Sequence, residues 1–268
     1  MSKIIISFYK LFLFLLLFNF TKAMDGHLFL SPVANILEPR IGAIFELSVK
    51  KLRLDIGTSV DLLEFKTGEN SIMRIGTDFF TLSRLRSEGN MKFPVETADY
   101  FFGINSTAKG IVFGYDYSAR LRLAHISSHI VDGMANDTIL KVEPFVYSRE
   151  FAELIGAVNI NDIRFYAGLT YVFSRQPKIT NSLIPQLGFD SRIKINNFMD
   201  FCIGYDLRLT GLDNTYSALH SFVAGTDILI TGDTCIRLFL SVVEGKSIHG
   251  MFYKNNESFK GIGFQVVY

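Results

Sequence analysis

Alternation at a period of two runs through most of the chain. Between positions 51 and 66, Leu52, Leu54, Ile56, Thr58, Val60 and Leu62 fall on one side of an extended strand. Arg53, Asp55, Gly57, Ser59 and Asp61 fall on the other. Side chains that swap sides at every residue mark a β-strand with one apolar face, not a helical stripe. The pattern returns with Met73, Ile75, Thr77 and Phe79 against Arg74, Gly76 and Asp78, and with Leu121 and Leu123 against Arg120 and Arg122. Later come Ile163, Phe165, Ala167, Leu169, Tyr171 and Phe173 against Arg164, Tyr166 and Gly168. Met199, Phe201, Ile203, Tyr205 and Leu207 oppose Asp200, Cys202, Gly204, Asp206 and Arg208. Ile236, Leu238, Leu240 and Val242 oppose Arg237 and Ser241. At the end, Ile262, Phe264, Val266 and Tyr268 oppose Gly261, Gly263 and Gln265.

Turn residues divide the chain into about twelve strands, over 40–49, 51–66, 71–82, 98–112, 116–130, 142–159, 162–174, 183–191, 196–209, 217–230, 234–243 and 259–268. Two all-β folds suit this pattern. A soluble β-sandwich also alternates, polar outside and apolar inside. Three details favour a transmembrane antiparallel up-and-down barrel. The apolar faces run five or six positions, matching the roughly 9–11 residues of a tilted membrane strand. The polar faces combine Gly with Arg and Asp, which suits a narrow lumen. The last residue is aromatic. Only a closed barrel lets strands satisfy every backbone polar group within lipid. Short links at 67–70, 114–116 and 159–162 and long ones at 83–97, 131–141, 175–182 and 244–258 fit the inner and outer ends of a bacterial barrel.

Composition narrows the picture. After Ala23 no charge-free run approaches the roughly 18 residues of a membrane helix. An aromatic share of 14% is the opposite of a disordered chain. Residues 1–23 are expected to be a cleaved secretory signal: Lys3 and Lys10, an apolar run from Leu11 to Phe20, then Thr21-Lys22-Ala23. An uncleaved anchor is the rival. Residues 24–268 then form the barrel. The signal holds three lysines and no acid, so the remainder carries 24 basic and 26 acidic side chains. That balance excludes a nucleic-acid partner, which needs a basic face. The expected partners are outer-membrane lipid, lipopolysaccharide and the barrel-assembly machinery of a Gram-negative envelope. Phe264, Val266 and Tyr268 form the assembly signal. Two cysteines, Cys202 and Cys235, make no disulfide framework. They fall on the lumen parity of strands that are not neighbours, and are expected to be free and buried.

The lumen parity collects Arg53, Asp55, Arg74, Asp78, Arg120, Arg122, Arg164, Asp200, Asp206, Arg208 and Arg237. Such residues either line a narrow channel or fill the interior as a salt-bridged core. On the opposite parity, His125, Ser127 and His129 share the face of Leu121 and Leu123. His and Ser one pleat apart can serve as base and nucleophile. On the following strand, Ser148 and Glu150 have the parity to meet them, and Glu150 could orient His125. The alternative is a polar strand end at headgroup level. A shared metal is not expected, because His125 and His129 lie about 13 Å apart along a strand. No cofactor motif is present. His27, His220 and His249 look isolated.

Several segments resemble a family of bacterial envelope proteins catalogued as domain of unknown function 1207. They are Leu28-Phe29 through Glu38-Pro39-Arg40, Ala98-Asp99-Tyr100 through Gly103-Ile104, Tyr117 through Arg122, His125-Ile126-Ser127-Ser128-His129 with Asp132, Tyr147 through Glu150, and Glu244-Gly245-Lys246-Ser247 running into Gly250-Met251-Phe252-Tyr253. The resemblance implies an outer-membrane barrel without an established activity. Tyr117 stands where the family usually has Trp, and Glu244-Gly245-Lys246-Ser247 where it usually has Asp-Gly-His-Ser. The His-x-Ser piece is similar to the active-site strand of outer-membrane phospholipase A and of lipid A deacylases. It lacks the Asn-Gly-Arg tail of the phospholipase. The specific activity is therefore open between a structural or partner-binding barrel, an outer-leaflet lipid hydrolase and a narrow solute channel.

Overall fold

A computed structural model describes residues 26–48, 50–136, 139–140, 143–232 and 234–267. The expected signal, residues 1–23, and the terminal Tyr268 lie outside them. The strands are β1 (Ile41–Glu46), β2 (Lys51–Gly68), β3 (Ser71–Arg86), β4 (Val95–Val112), β5 (Tyr115–Ile130), β6 (Ala135–Asn136), β7 (Ile139–Leu140), β8 (Tyr147–Ile160), β9 (Ile163–Gln176), β10 (Leu183–Lys194), β11 (Met199–Leu212), β12 (Thr215–Thr231), β13 (Thr234–Lys246) and β14 (Asn256–Val267). Twelve of them close into an antiparallel barrel in which each strand pairs with its chain neighbour and β1 pairs with β14. β6 and β7 form a small separate hairpin. Closure joins the first and last strands, so backbone groups pair within the ring wherever neighbouring strands overlap, while β2 runs on past the end of its pairing with β1 at Asp55.

The two ends differ. Links at 69–70, 113–114, 161–162 and 195–198 mark a short-turn end, whereas 87–94, 131–146, 177–182 and 247–255 mark a long-loop end. Two tight connections, 47–50 and 213–214, also lie at the long-loop end, so the asymmetry is less strict than the sequence suggests. Asp213 and Asn214 both have positive φ, 51° and 61°. That is the backbone of a two-residue hairpin turn, and it allows a strand reversal with no loop at all.

Side-chain parity follows the alternation. Leu121, Leu123, Leu154, Leu169 and Leu238 face outward and are exposed, while Arg53, Asp55, Arg120, Arg122 and Arg208 are buried within. β2 departs from strict alternation at a bulge between Asp61 and Leu63. The extra residue, Leu62, lets Asp61 and Glu64 both turn inward, where Arg74 bonds each of them. Without the bulge, carboxylates three residues apart would point to opposite faces.

The lumen is filled by the protein's own chain. Residues 26–40, upstream of β1, enter from the short-turn end and are held by wall side chains on their backbone. Arg74 donates to Gly26 O (2.6 Å), Arg164 to Leu30 O (2.7 Å) and Arg53 to Ile36 O (2.7 Å), while Asp190 accepts from Val33 N–H. A segment with no ladder of its own must find such partners for its buried backbone groups. From the other end, residues 247–255 fold inward as a lid. The lid is pinned by buried Asp99, which accepts from Gly250 N–H (2.8 Å) and pairs with His249 Nδ1 (2.7 Å).

The interior is also less uniformly charged than the sequence suggests. Toward the long-loop end two apolar clusters line it. One contains Phe80, Leu82, Phe101, Phe151 and Val172, the other Ile44, Leu219, Val223, Phe239 and Phe259. Leu37 of the plug and Ile248 of the lid pack against both.

Candidate functional site on the outer wall

The candidate site lies where β5 passes between β4 and β8. Register puts His125 opposite Phe102 on one side and Glu150 on the other, and Ser127 opposite Tyr100 and Ser148. All these side chains share the outward parity. His125 Nδ1 lies 2.8 Å from Glu150 Oε1, and the Ser148 hydroxyl donates to that same oxygen at 3.0 Å. Register sets Ser174 of β9 opposite Glu150 on its other side. Phe102 packs on the His125 ring at 4.8 Å between centroids, and Tyr100 meets His129 edge-on at 5.6 Å. The side chains of His125 and Glu150 are 27% and 34% exposed, so the pair is seated in the wall yet open to whatever surrounds it.

A carboxylate bonded to Nδ1 fixes the ring's tautomer and orientation. Nε2 is then the acceptor, free to take a proton. Ser127 lies one same-face step along the strand, roughly 7 Å away in Cα position. A base oriented by an acid activates a serine hydroxyl that comes within hydrogen-bond reach of it. Ser127 shares the outward face with His125, and no hydrogen bond joins the two among the described residues.

Depth along the barrel matters as much as chemistry. His125 lies ten residues from Tyr115, the short-turn end of β5. At about 3.3 Å per residue and a tilt near 45°, that is about 23 Å along the axis. The apolar band of such barrels is about 25 Å tall. The pair thus sits at the upper edge of the apolar wall, toward the long loops.

Every candidate lumen residue is found inside the barrel. Arg120 reaches Glu38 of the plug with two bonds, 2.8 and 2.6 Å, and Glu153 with a third at 2.9 Å. Arg122 bonds Asp78 at 2.7 Å, Arg53 grips Asp55 with two bonds, and Arg237 grips Asp227 with two. Arg208 bonds Gln186 and Glu153, while Asp206 accepts from Tyr166 and Gln186. Arg164 grips Asp190, and Asp200 lines a vestibule of about 560 Å³ at the short-turn end. Cys202 and Cys235 are buried and unbridged. Of the assembly-signal residues, Phe264 faces outward and exposed, Val266 pairs with Ile41 and Ile236, and Tyr268 lies outside the described residues.

The remaining histidines correct the sequence reading, since none is isolated. His249 pairs with Asp99, His220 Nδ1 lies 2.7 Å from the Tyr205 hydroxyl, and His27 lies 3.9 Å from Asp61. His249 and Asp99 are 150 residues apart, and no local pattern joins them. Glu38, the carboxylate at the centre of the arginine cluster, was missed for the same reason. Ser174 is not reachable from the hairpin register, which would set Phe173 opposite Glu150; a bulge between Glu150 and Phe151 brings Ser174 there instead.

The closed ring, the outward apolar wall and the filled interior define a twelve-stranded barrel of the outer-membrane type. The chain belongs to the family described as "Protein of unknown function (DUF1207)", which matches residues 94–268. Among solved structures, outer membrane phospholipase A from Escherichia coli is similar at a TM-score of 0.61 and 13% identity, over 89% of this chain and 94% of that one. The beta domain of the Bordetella autotransporter BrkA gives 0.42 at 12% identity, over 85% and 97% of the two chains. OmpT of Vibrio cholerae gives 0.39 at 7% identity, over 85% and 94%. At these identities the likeness is one of fold alone. No curated protein matches the chain.

Proposed function

We propose that this protein is an outer-leaflet lipid esterase of a Gram-negative outer membrane, exported by a signal that is removed, with its long loops outside the cell. The observation that carries the reading is the 2.8 Å bond between His125 and Glu150 on the outward wall, with Ser127 on the same face. A lipid-facing ionisable pair is costly, and such residues in membrane proteins mark function by default. The height of the pair matches the level at which acyl esters lie, and Leu121, Leu123 and Leu154 below it offer an apolar track for an acyl chain.

In the proposed reaction Ser127 Oγ attacks the ester carbonyl while His125 Nε2 takes its proton. Glu150 holds the imidazolium that forms. His125 then returns the proton to the departing alkoxide, leaving an acyl-serine. Water, deprotonated by His125, cleaves that ester, and the proton passes back to Ser127. A solute channel is disfavoured by the plug and lid that fill the lumen.

The test is fatty-acid release from phospholipid and lipid A vesicles by the reconstituted protein. Ser127→Ala is expected to remove release by at least about 10³-fold, and Glu150→Gln to lower it by up to about 10⁴-fold. Unchanged release by Ser127→Ala ends the proposal. Export to the barrel-assembly machinery through Phe264, Val266 and Tyr268 belongs to the same reading. Deleting Tyr268 should leave the chain in the periplasm, and normal insertion would refute that role.

A further inference from the structure

The opposite wall carries a second polar notch that the esterase reading does not use. β13 lies six strands from β5 around the twelve-stranded ring. Beside it on β12, His220 faces outward with its Nδ1 bonded to Tyr205, and register sets Glu244 of β13 directly opposite it. With Ser217, Lys246, Asn256, Glu257 and Ser258 these residues line a cleft of about 430 Å³, the Glu257 carboxylate being neutralised by Arg84 at 2.7 Å. The floor is backbone. Gly245 has φ +144°, and a Cβ there would stand 2.5 Å from Ala218 O. Only glycine permits so close an approach in that conformation. The cleft therefore holds three of the four residues of the Glu244-Gly245-Lys246-Ser247 motif.

The height is that of the His125 site. His220 lies eleven residues up from Thr231, the short-turn end of β12, as His125 lies ten up from Tyr115. Below the cleft, outward Phe222, Leu240 and Ile262 continue the apolar wall. The occupant must thus be amphiphilic, with its polar part in the notch and its chains against the wall.

The polar set selects the headgroup. Where Tyr205 donates to Nδ1, His220 presents its Nε2–H outward as a donor. Lys246 donates one N–H to Lys254 O and keeps two others. These are partners for a phosphate. Glu244, Asn256, Ser217 and Ser258 mix acceptors with donors, as sugar hydroxyls require. A cleft of this volume exceeds the needs of a glycerol headgroup and lies in the range of small-ligand sites. We propose that this cleft binds the phosphorylated sugar headgroup of an outer-leaflet glycolipid.

The experiment uses the purified full-length barrel in detergent, with binding followed by native mass spectrometry. Three probes are compared: bisphosphorylated lipid A, dephosphorylated lipid A and phosphatidylglycerol. Bisphosphorylated lipid A should bind at least tenfold more tightly than either of the others. The double variant His220→Ala, Lys246→Ala should lose that tenfold, and Lys246→Arg should keep it. Equal binding of the dephosphorylated form, equal binding of phosphatidylglycerol, or wild-type binding by the double variant would overturn the proposal. The comparison of probes on the wild-type protein stands even if a variant fails to fold. The double variant should release fatty acid from phospholipid vesicles at the wild-type rate, which keeps a failure of this site separate from a failure of the esterase.

Discussion

Removing the charge of Glu38 tests whether the plug is an integral part of the fold. Glu38 is 1% exposed and lies against Arg120 and Arg122, themselves 4% and 1% exposed. It accepts both Arg120 bonds, one from Arg122, and bonds from Ser31 and Asn35 within the plug. Replacement by alanine leaves two buried guanidiniums short of a carboxylate. Breaking a buried ion pair by deleting one partner costs about 3–5 kcal/mol. On the scale of domains of 150–250 residues, where 1 kcal/mol moves Tm by about 2–4 °C, that is a fall of about 6–20 °C. The assay is heat-modifiable gel mobility of the detergent-extracted protein, with the midpoint read for wild type, Glu38→Gln and Glu38→Ala. Gln preserves shape and some hydrogen bonding and should lose less. Arg120→Met combined with Glu38→Ala should lose less than the two single losses added together, because both act on one contact. A midpoint for Glu38→Ala within about 2 °C of wild type would refute the reasoning. It would mean that the plug rests in the lumen without contributing to its stability.

Two further outcomes follow from the filled interior. In planar bilayers the protein should show no steady conductance, because plug and lid occupy the lumen from both ends; a stable open channel would contradict that packing. Cys202 and Cys235, 0% and 1% exposed, should resist a thiol reagent in the folded barrel and react fully on unfolding. Fast reaction of either in the folded state would show that the interior is open to solvent.

The wall was legible in the chain and its contents were not. Leu52 through Leu62 already mark β2 because the period of two is a local property, and the His125–Glu150 contact is reachable because β5 and β8 are consecutive barrel strands on which both residues have the outward parity. The bulge at Leu62 escaped because Leu62 and Leu63 are both apolar, so the sequence does not mark the change of parity. The apolar inner clusters escaped because Phe80 follows Phe79, and Phe101 and Phe102 are likewise adjacent. At such pairs both faces are apolar and alternation is silent. Whether residues 24–39 plug the lumen or hang in the periplasm stays open in the sequence for a different reason. Residues 26–40 have no periodicity, since their conformation is dictated by arginines 17 to 134 residues further along the chain.

The meeting of Leu37 and Ile248 between the two inner clusters gives this barrel a thermal signature of its own. An outward apolar wall is covered by lipid or detergent before and after unfolding, so its hydration changes little. The inner clusters are dry only while the fold is intact. Their exposure to water should raise the heat capacity, and their contribution should weaken on cooling, as hydrophobic burial does. A barrel with a water-filled pore has no such reservoir. This membrane protein carries inside its wall the curved temperature dependence of a soluble domain.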